Sequence, residues 1–130
     1  MQAHFHLVAT PAFALFLLIG VSGCQYSYPF EISGVVRTAD GTPLPGVSVT
    51  LTAGSIRESS FPVITAADGT FKARVRIGDI EFMQDELPKW SLELAKDGYE
   101  TAIVDVSPKQ QPESPRKTTF ISTEGTLRIQ

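Results

Sequence analysis

Acidic residues give this sequence its densest cluster of potential chemistry. Asp79, Glu81, Asp85 and Glu86 fall within Gly78–Lys89 (GDIEFMQDELPK), together with the apolar pair Phe82 and Met83. Carboxylates so close together can flank a substrate or hold a divalent cation, but their intervals lack the ordered oxygen pattern of a calcium loop. Three readings of the segment stay open: a solvated loop, a weak divalent site, or a partner-binding loop. In the last, the apolar pair supplies affinity and the acids supply orientation. Lys72, Arg74 and Arg76 recur at every second position and place a basic stripe on one strand face. Such a stripe is the solvated side of a sheet, or it meets anionic headgroups or acidic polysaccharide. Histidine bounds the rest. His4 and His6 are the only two, and both precede Cys24. Without that first segment the chain has no Ser-His or Cys-His nucleophile and no His-ligated zinc site, so neither catalytic residues, a metal nor a cofactor is expected.

The single cysteine, Cys24, has no disulfide partner in the chain. Residues 1–23 carry no Asp, Glu, Lys or Arg, and Phe5–Ile19 (FHLVATPAFALFLLI) is an apolar run of 15 residues. That is short of the ~20 residues a membrane-spanning helix needs and fits the apolar region of a secretory signal peptide. The run leads into Val21-Ser22-Gly23-Cys24. A branched apolar residue, two small residues and cysteine resemble the lipobox of bacterial lipoproteins, although the segment before the run lacks Lys and Arg. The resemblance implies a signal peptide over 1–23, cleavage before Cys24, and acylation of the Cys24 sulfur and amine. Two or three chains, each contributing ~0.8 kcal/mol per buried methylene, anchor a protein stably where one does not. The alternative is an uncleaved anchor helix with an incidental cysteine. The implied location is the cell membrane or outer membrane, facing away from the cytoplasm. Gln25 favours the outer membrane under the enteric sorting rule.

These features need a scaffold to position them. At 130 residues, 42% hydrophobic and 19% charged, the chain has the length and composition of one globular domain. Its net charge of −3 argues against a nucleic-acid partner. Residues 24–30 read as a lipidated aromatic tether and 31–130 as the domain. Tyr26, Tyr28 and Phe30 sit at the membrane interface, pack along the first strand, or stack on sugars. Beyond them the pattern has period two. Val47, Val49 and Leu51 alternate with Ser48, Thr50 and Thr52; Phe71–Ile77 and Trp90–Ala95 follow the same rule. Ile32–Arg37 and Thr101–Val106 are further strands. Phe120–Ser122 and Leu127–Ile129, divided by Thr-Glu-Gly, read as a closing strand pair. Asp40-Gly41, Asp68-Gly69 and Asp97-Gly98 mark turns, with each Asp capping nearby amides. Ser107–Lys117, with three prolines, reads as an extended connection. Seven short strands without a helical stripe specify an all-β antiparallel sandwich, with Val47, Leu51, Phe71, Val75, Trp90, Leu92 and Val104 in its core.

Four segments, taken in order, resemble the carboxypeptidase regulatory-like domain. They are Ile32–Val36, Asp40–Val49 (DGTPLPGVSV), Thr65–Phe71 (TAADGTF) and Lys96-Asp97-Gly98-Tyr99. The resemblance covers roughly Ile32 to Val106. It implies a seven-stranded Greek-key sandwich of transthyretin-like (prealbumin-like) fold. Such modules are mainly non-enzymatic accessory, folding-supporting or adhesive domains, and they are related in fold to starch-binding-like domains. The hydroxyisourate hydrolases of that fold use histidines and a C-terminal Tyr-Arg-Gly-Ser motif, whereas this chain reads Thr126-Leu127-Arg128-Ile129-Gln130. The expectation is a membrane-anchored lipoprotein whose sandwich is a structural or interaction module, with envelope proteins or polysaccharide as partners. The alternative is a carbohydrate-binding surface module.

Overall fold

The computed structural model describes residues 26–130. Cys24, the lipobox and the apolar run lie outside them. Eight strands form: β1 (Ser27–Thr38), β2 (Ser48–Thr52), β3 (Ile56–Ser59), β4 (Val63–Ile64), β5 (Thr70–Gly78), β6 (Ser91–Ala95), β7 (Ala102–Asp105) and β8 (Thr119–Leu127). They make two four-stranded sheets, in the orders β3-β5-β1-β8 and β4-β2-β6-β7. The all-β two-sheet architecture follows from period-two patterning, because each strand has one apolar face and two such sheets bury each other's. Val47, Val49 and Leu51 face Leu92 and Leu94 within one sheet, and Phe30, Ile32, Phe71, Val75 and Ile77 cover them from the other. Val104 is half-buried against this core.

Four expectations are corrected. The strand count among the described residues is eight, since β3 and β4 add two to the seven and the expected closing pair merges into one. All four residues of β3 are exposed, so no apolar alternation marks it. The sheets are not wholly antiparallel: β1 and β8 run parallel from Phe30↔Thr119 to Thr38↔Leu127. The closing strand pair is one strand, because Thr123-Glu124-Gly125 stays in register with Gly34-Val35-Val36 instead of turning. The tether ends early. Ser27–Phe30 pair with Val75–Gly78, and Phe30 is buried.

β1 thus runs the length of the molecule, about 36 Å for its twelve residues. Its first residue, Ser27, marks the proximal end, where the chain enters, and Thr38 marks the distal end. Three Asp-Gly turns close the distal end, with φ of +92° at Gly41, +78° at Gly69 and +87° at Gly98, a region where a Cβ is disfavoured. Asp40 accepts the Thr42 amide at 3.2 Å and Asp68 the Thr70 amide at 3.1 Å. These bonds, led by those from the Thr38 and Thr70 hydroxyls, hold both carboxyls below the usual aspartate range. Asp97 makes no such capping bond among the described residues. Buried Thr65 donates to the Leu44 carbonyl at 2.7 Å and accepts the Val47 amide at 2.9 Å, fixing the Pro43–Gly46 turn against the sheet.

Candidate functional site

The acidic segment leaves β5 at the proximal end. Gly78 pairs with Ser27, so Asp79 emerges beside the start of β1, and its amide donates to the Tyr26 carbonyl at 3.1 Å. Asp79–Phe82 form a single 3-10 turn, in keeping with a loop or one helical turn. The six candidate residues then part company. Phe82 folds inward: its ring centroid lies 5.8 Å from Phe30 in a stacked arrangement, 5.5 Å from Tyr28 and 6.2 Å from Trp90. Phe30 and Trp90 meet edge-to-face at 4.9 Å, so four rings close the proximal end of the core. Glu81 also turns inward. One carboxylate oxygen accepts the Ser55 amide at 3.1 Å and the other accepts the Trp90 indole N–H at 3.4 Å. Gly54 makes room for this carboxylate, since a Cβ there would collide with it.

The expectation of an exposed apolar pair ringed by acids is therefore corrected. Met83 is 76% exposed, and the other largely exposed apolar side chains at this end are Ile80 and Tyr26, each 60% exposed. The period of the 3-10 turn explains the exchange: Phe82 is carried to the core side, while Ile80 and Met83, three residues apart, share the outer side. Met83's amide donates to the Ile80 carbonyl at 3.4 Å, closing that side. Asp85 and Glu86 are exposed nearby and Asp79 is half-buried. Among the described residues no group of three or more His, Cys, Asp or Glu is placed to hold a metal ion.

The basic stripe leads to a second surface. Lys72, Arg74 and Arg76 all project from the outer face of β5. Arg74, Glu31 and Phe120 form one row across β5, β1 and β8, with Arg74 Nε 3.6 Å from a Glu31 carboxylate oxygen. Phe120 is 69% exposed, an aromatic face open to solvent. Pro115, Arg116 and Thr118 of the connection into β8 rise beside it, and Glu58, Ser59 and Ser60 rise on the opposite side. A cleft of about 830 Å³ lies between them. Arg76 and Arg116 have no carboxylate partner among the described residues, although Arg76 donates to the Ser27 hydroxyl at 3.1 Å. Sequence reasoning found the stripe but missed Phe120 and Arg116. Only the parallel β1/β8 register brings residues 120 and 74 together, and no local signal announces it. Among the described residues, the outer face of the other sheet presents Ser48, Thr50 and Glu93 with two exposed apolar residues, Ile64 of β4 and Ile103 of β7, and no aromatic ring.

No protein-family model and no curated protein matches this chain. Solved structures share its fold. One is 3-chlorocatechol 1,2-dioxygenase from Rhodococcus opacus 1CP, with TM-score 0.54 and 14% identity over 79% of this chain and 61% of that one. Another is catechol 1,2-dioxygenase from Acinetobacter sp. ADP1, with TM-score 0.54 and 13% identity over 79% of this chain and 53% of that one. A third is the dioxygenase domain of a dioxygenase and carbohydrate-binding protein fusion from Streptomyces sp. SirexAA-E, with TM-score 0.51 and 16% identity over 79% and 81%. This chain thus spans about three-fifths of the Rhodococcus enzyme and about half of the Acinetobacter one. At such identities the likeness is one of fold, a two-sheet β-sandwich, and carries no side chain with it.

Proposed function

We propose that this chain is a membrane-anchored lipoprotein whose one β-sandwich, a carboxypeptidase regulatory-like module of transthyretin-like type, serves the cell envelope as a non-catalytic structural or interaction domain. The reading is carried by Val21-Ser22-Gly23-Cys24 following an uncharged apolar run, with a folded sandwich beginning at Ser27. The Asp40–Val49 and Thr65–Phe71 segments behind the resemblance both lie in distal turns and adjoining strands, where that pattern has a structural purpose. The described residues contain neither His nor Cys. The activity of the dioxygenases belongs to those proteins. Intact-mass analysis of membrane-extracted protein tests the proposal: it should show a chain starting at Cys24 with added acyl mass, and Cys24→Ser should leave the stable membrane fraction. Full-length, unacylated wild-type chain in the soluble fraction would refute it.

A second reading, binding of acidic carbohydrate, is favoured by the cleft beside Phe120. A sugar ring stacked on that face would meet the guanidiniums of Arg76 and Arg116 with its carboxylate, and Ser59, Ser60 and Thr118 with its hydroxyls. The outer face offers one exposed ring rather than a pair, so this reading stands second. Calorimetric titration with uronic-acid oligosaccharides, set against neutral ones and against Phe120→Ala, separates the two.

A further inference from the structure

If Cys24 carries the lipid, the structure leaves almost no slack between bilayer and domain. β1 begins at Ser27 and the Tyr26 carbonyl is already bonded to the Asp79 amide. Only Gln25 lies between Tyr26 and Cys24, so the two steps of chain reach at most ~7 Å. A chain this short cannot hold the sandwich away from the headgroups, so the proximal end must face them. Three exposed apolar side chains gather at that end: Tyr26, Ile80 and Met83. A tyrosine with aliphatic neighbours suits the headgroup boundary, where the ring's apolar body and its hydroxyl are both satisfied. The nearby carboxylates restrict which surface fits. Asp85 and Glu86 are exposed around the tip and have no ion-pair partner among the described residues. They would be repelled by an anionic leaflet and attracted by the ammonium groups of amine-bearing zwitterionic lipid.

We propose that the face formed by Tyr26, Ile80 and Met83 lies on a zwitterionic lipid surface, standing the sandwich upright with its distal Asp-Gly turns farthest from the membrane. This rests on the lipidation reading and adds to it an orientation and a lipid preference. Asp79–Glu86 then serves as the footing of the domain, in place of a patch for a soluble partner. β1 sets the separation: the distal turns stand about 36 Å beyond the proximal end.

The test uses the full chain, in which Cys24 is the only cysteine. Once that sulfur is acylated, Met83→Cys or Asp97→Cys supplies the one free thiol, and both positions are exposed, so neither substitution disturbs the core. Each variant is labelled with an environment-sensitive fluorophore and reconstituted in vesicles of phosphatidylethanolamine and phosphatidylcholine, with acylation checked by mass on the same sample. The label at position 83 should emit at shorter wavelength, be quenched by lipid-borne nitroxide, and show several-fold weaker iodide quenching than the label at 97. Replacing part of the lipid with phosphatidylglycerol should narrow that difference. Equal iodide quenching at 83 and 97 in an acylated sample overturns the apposition alone. A sample without acyl mass overturns the lipidation reading and the apposition with it.

Discussion

At the distal end of the sandwich, two of the three Asp-Gly turns are written in a few adjacent residues: an Asp, a Gly with positive φ, and a Thr whose amide returns to the carboxylate. At the proximal end the contacts span long stretches of chain. Phe82 packs on Phe30, 52 residues earlier, and Glu81 bonds Ser55, 26 residues earlier. Local turns are individually cheap to make and to lose, since each bond is solvent-exposed. The proximal closure is a single unit in which four rings and one carboxylate support one another. Damage to one member exposes the others, so substitutions there should cost most.

The largest effect is expected at Trp90, buried among Phe30 and Phe82 with its N–H on Glu81. Trp90→Ala should destabilise the domain by about 3–5 kcal/mol in denaturant titration. A loss below ~1 kcal/mol would show that the ring cluster does not close the core. Next come Phe82 and Met83, adjacent in sequence and opposite in environment. Phe82→Ala should cost about 2–3 kcal/mol, at the low end for an aromatic because the ring is only half-buried. Met83→Ser should stay within about 0.5 kcal/mol of wild type. Equal losses would mean that the 3-10 turn does not sort the two side chains as the structure has them.

The two ends also differ in how far the sequence revealed them. Asp40-Gly41 and Asp68-Gly69 announce themselves because a turn is a matter of three or four neighbours, and period-two strands announce themselves because burial alternates along them. The acidic segment announced only its composition. Which of Phe82 and Met83 turns inward depends on the phase of one 3-10 turn and on a pocket made by Tyr28, Phe30 and Trp90, none of them local. β8 was misread for a related reason. Thr-Glu-Gly has the composition of a turn, yet it pairs with a parallel partner 89 residues away, and tertiary pairing overrides local preference. The Phe120 cleft depends on that same pairing, so it was out of reach once β8 was divided.

A moderate effect should separate two distal glycines. A Cβ on Gly69 would lie 2.6 Å from the Val36 carbonyl oxygen and 3.0 Å from the Leu44 nitrogen, whereas one on Gly41 meets nothing within 4 Å. Both positions are left-handed, so alanine costs roughly 1–2 kcal/mol at either. Gly69→Ala should cost more than Gly41→Ala, because backbone must move to admit the methyl. With ~1 kcal/mol equivalent to 4–8 °C in a domain of this size, thermal melts resolve the difference. The reverse order would place the strain elsewhere in the turn.

The smallest effect concerns the carboxylates that cap these turns. Asp40 is held below the usual aspartate range first by the Thr38 hydroxyl and then by the Thr42 amide, and Asp68 first by the Thr70 hydroxyl and then by the Thr70 amide. Asp105 has the same relation to Ser107, whose amide it accepts at 2.8 Å. A carboxyl that ionises more readily in the folded state binds protons more readily when unfolded. Its contribution is therefore present above the ordinary aspartate value of about 3.9 and disappears as pH falls through the lower folded value. All three are solvent-exposed, so each contribution is small and shared with every other acid in the chain. The difference between variants isolates it. Between about pH 5 and about pH 2, the fall in melting temperature should be shallower for Asp40→Asn/Asp68→Asn than for wild type, because the amide cannot titrate and still offers an oxygen to the same donors. Asp105→Asn, beside Trp90 at the proximal end, should flatten the curve by a similar amount, since its carboxylate is bonded in the same way. Parallel acid curves for wild type and the double variant would mean that the turn hydrogen bonds form equally well with a protonated acid.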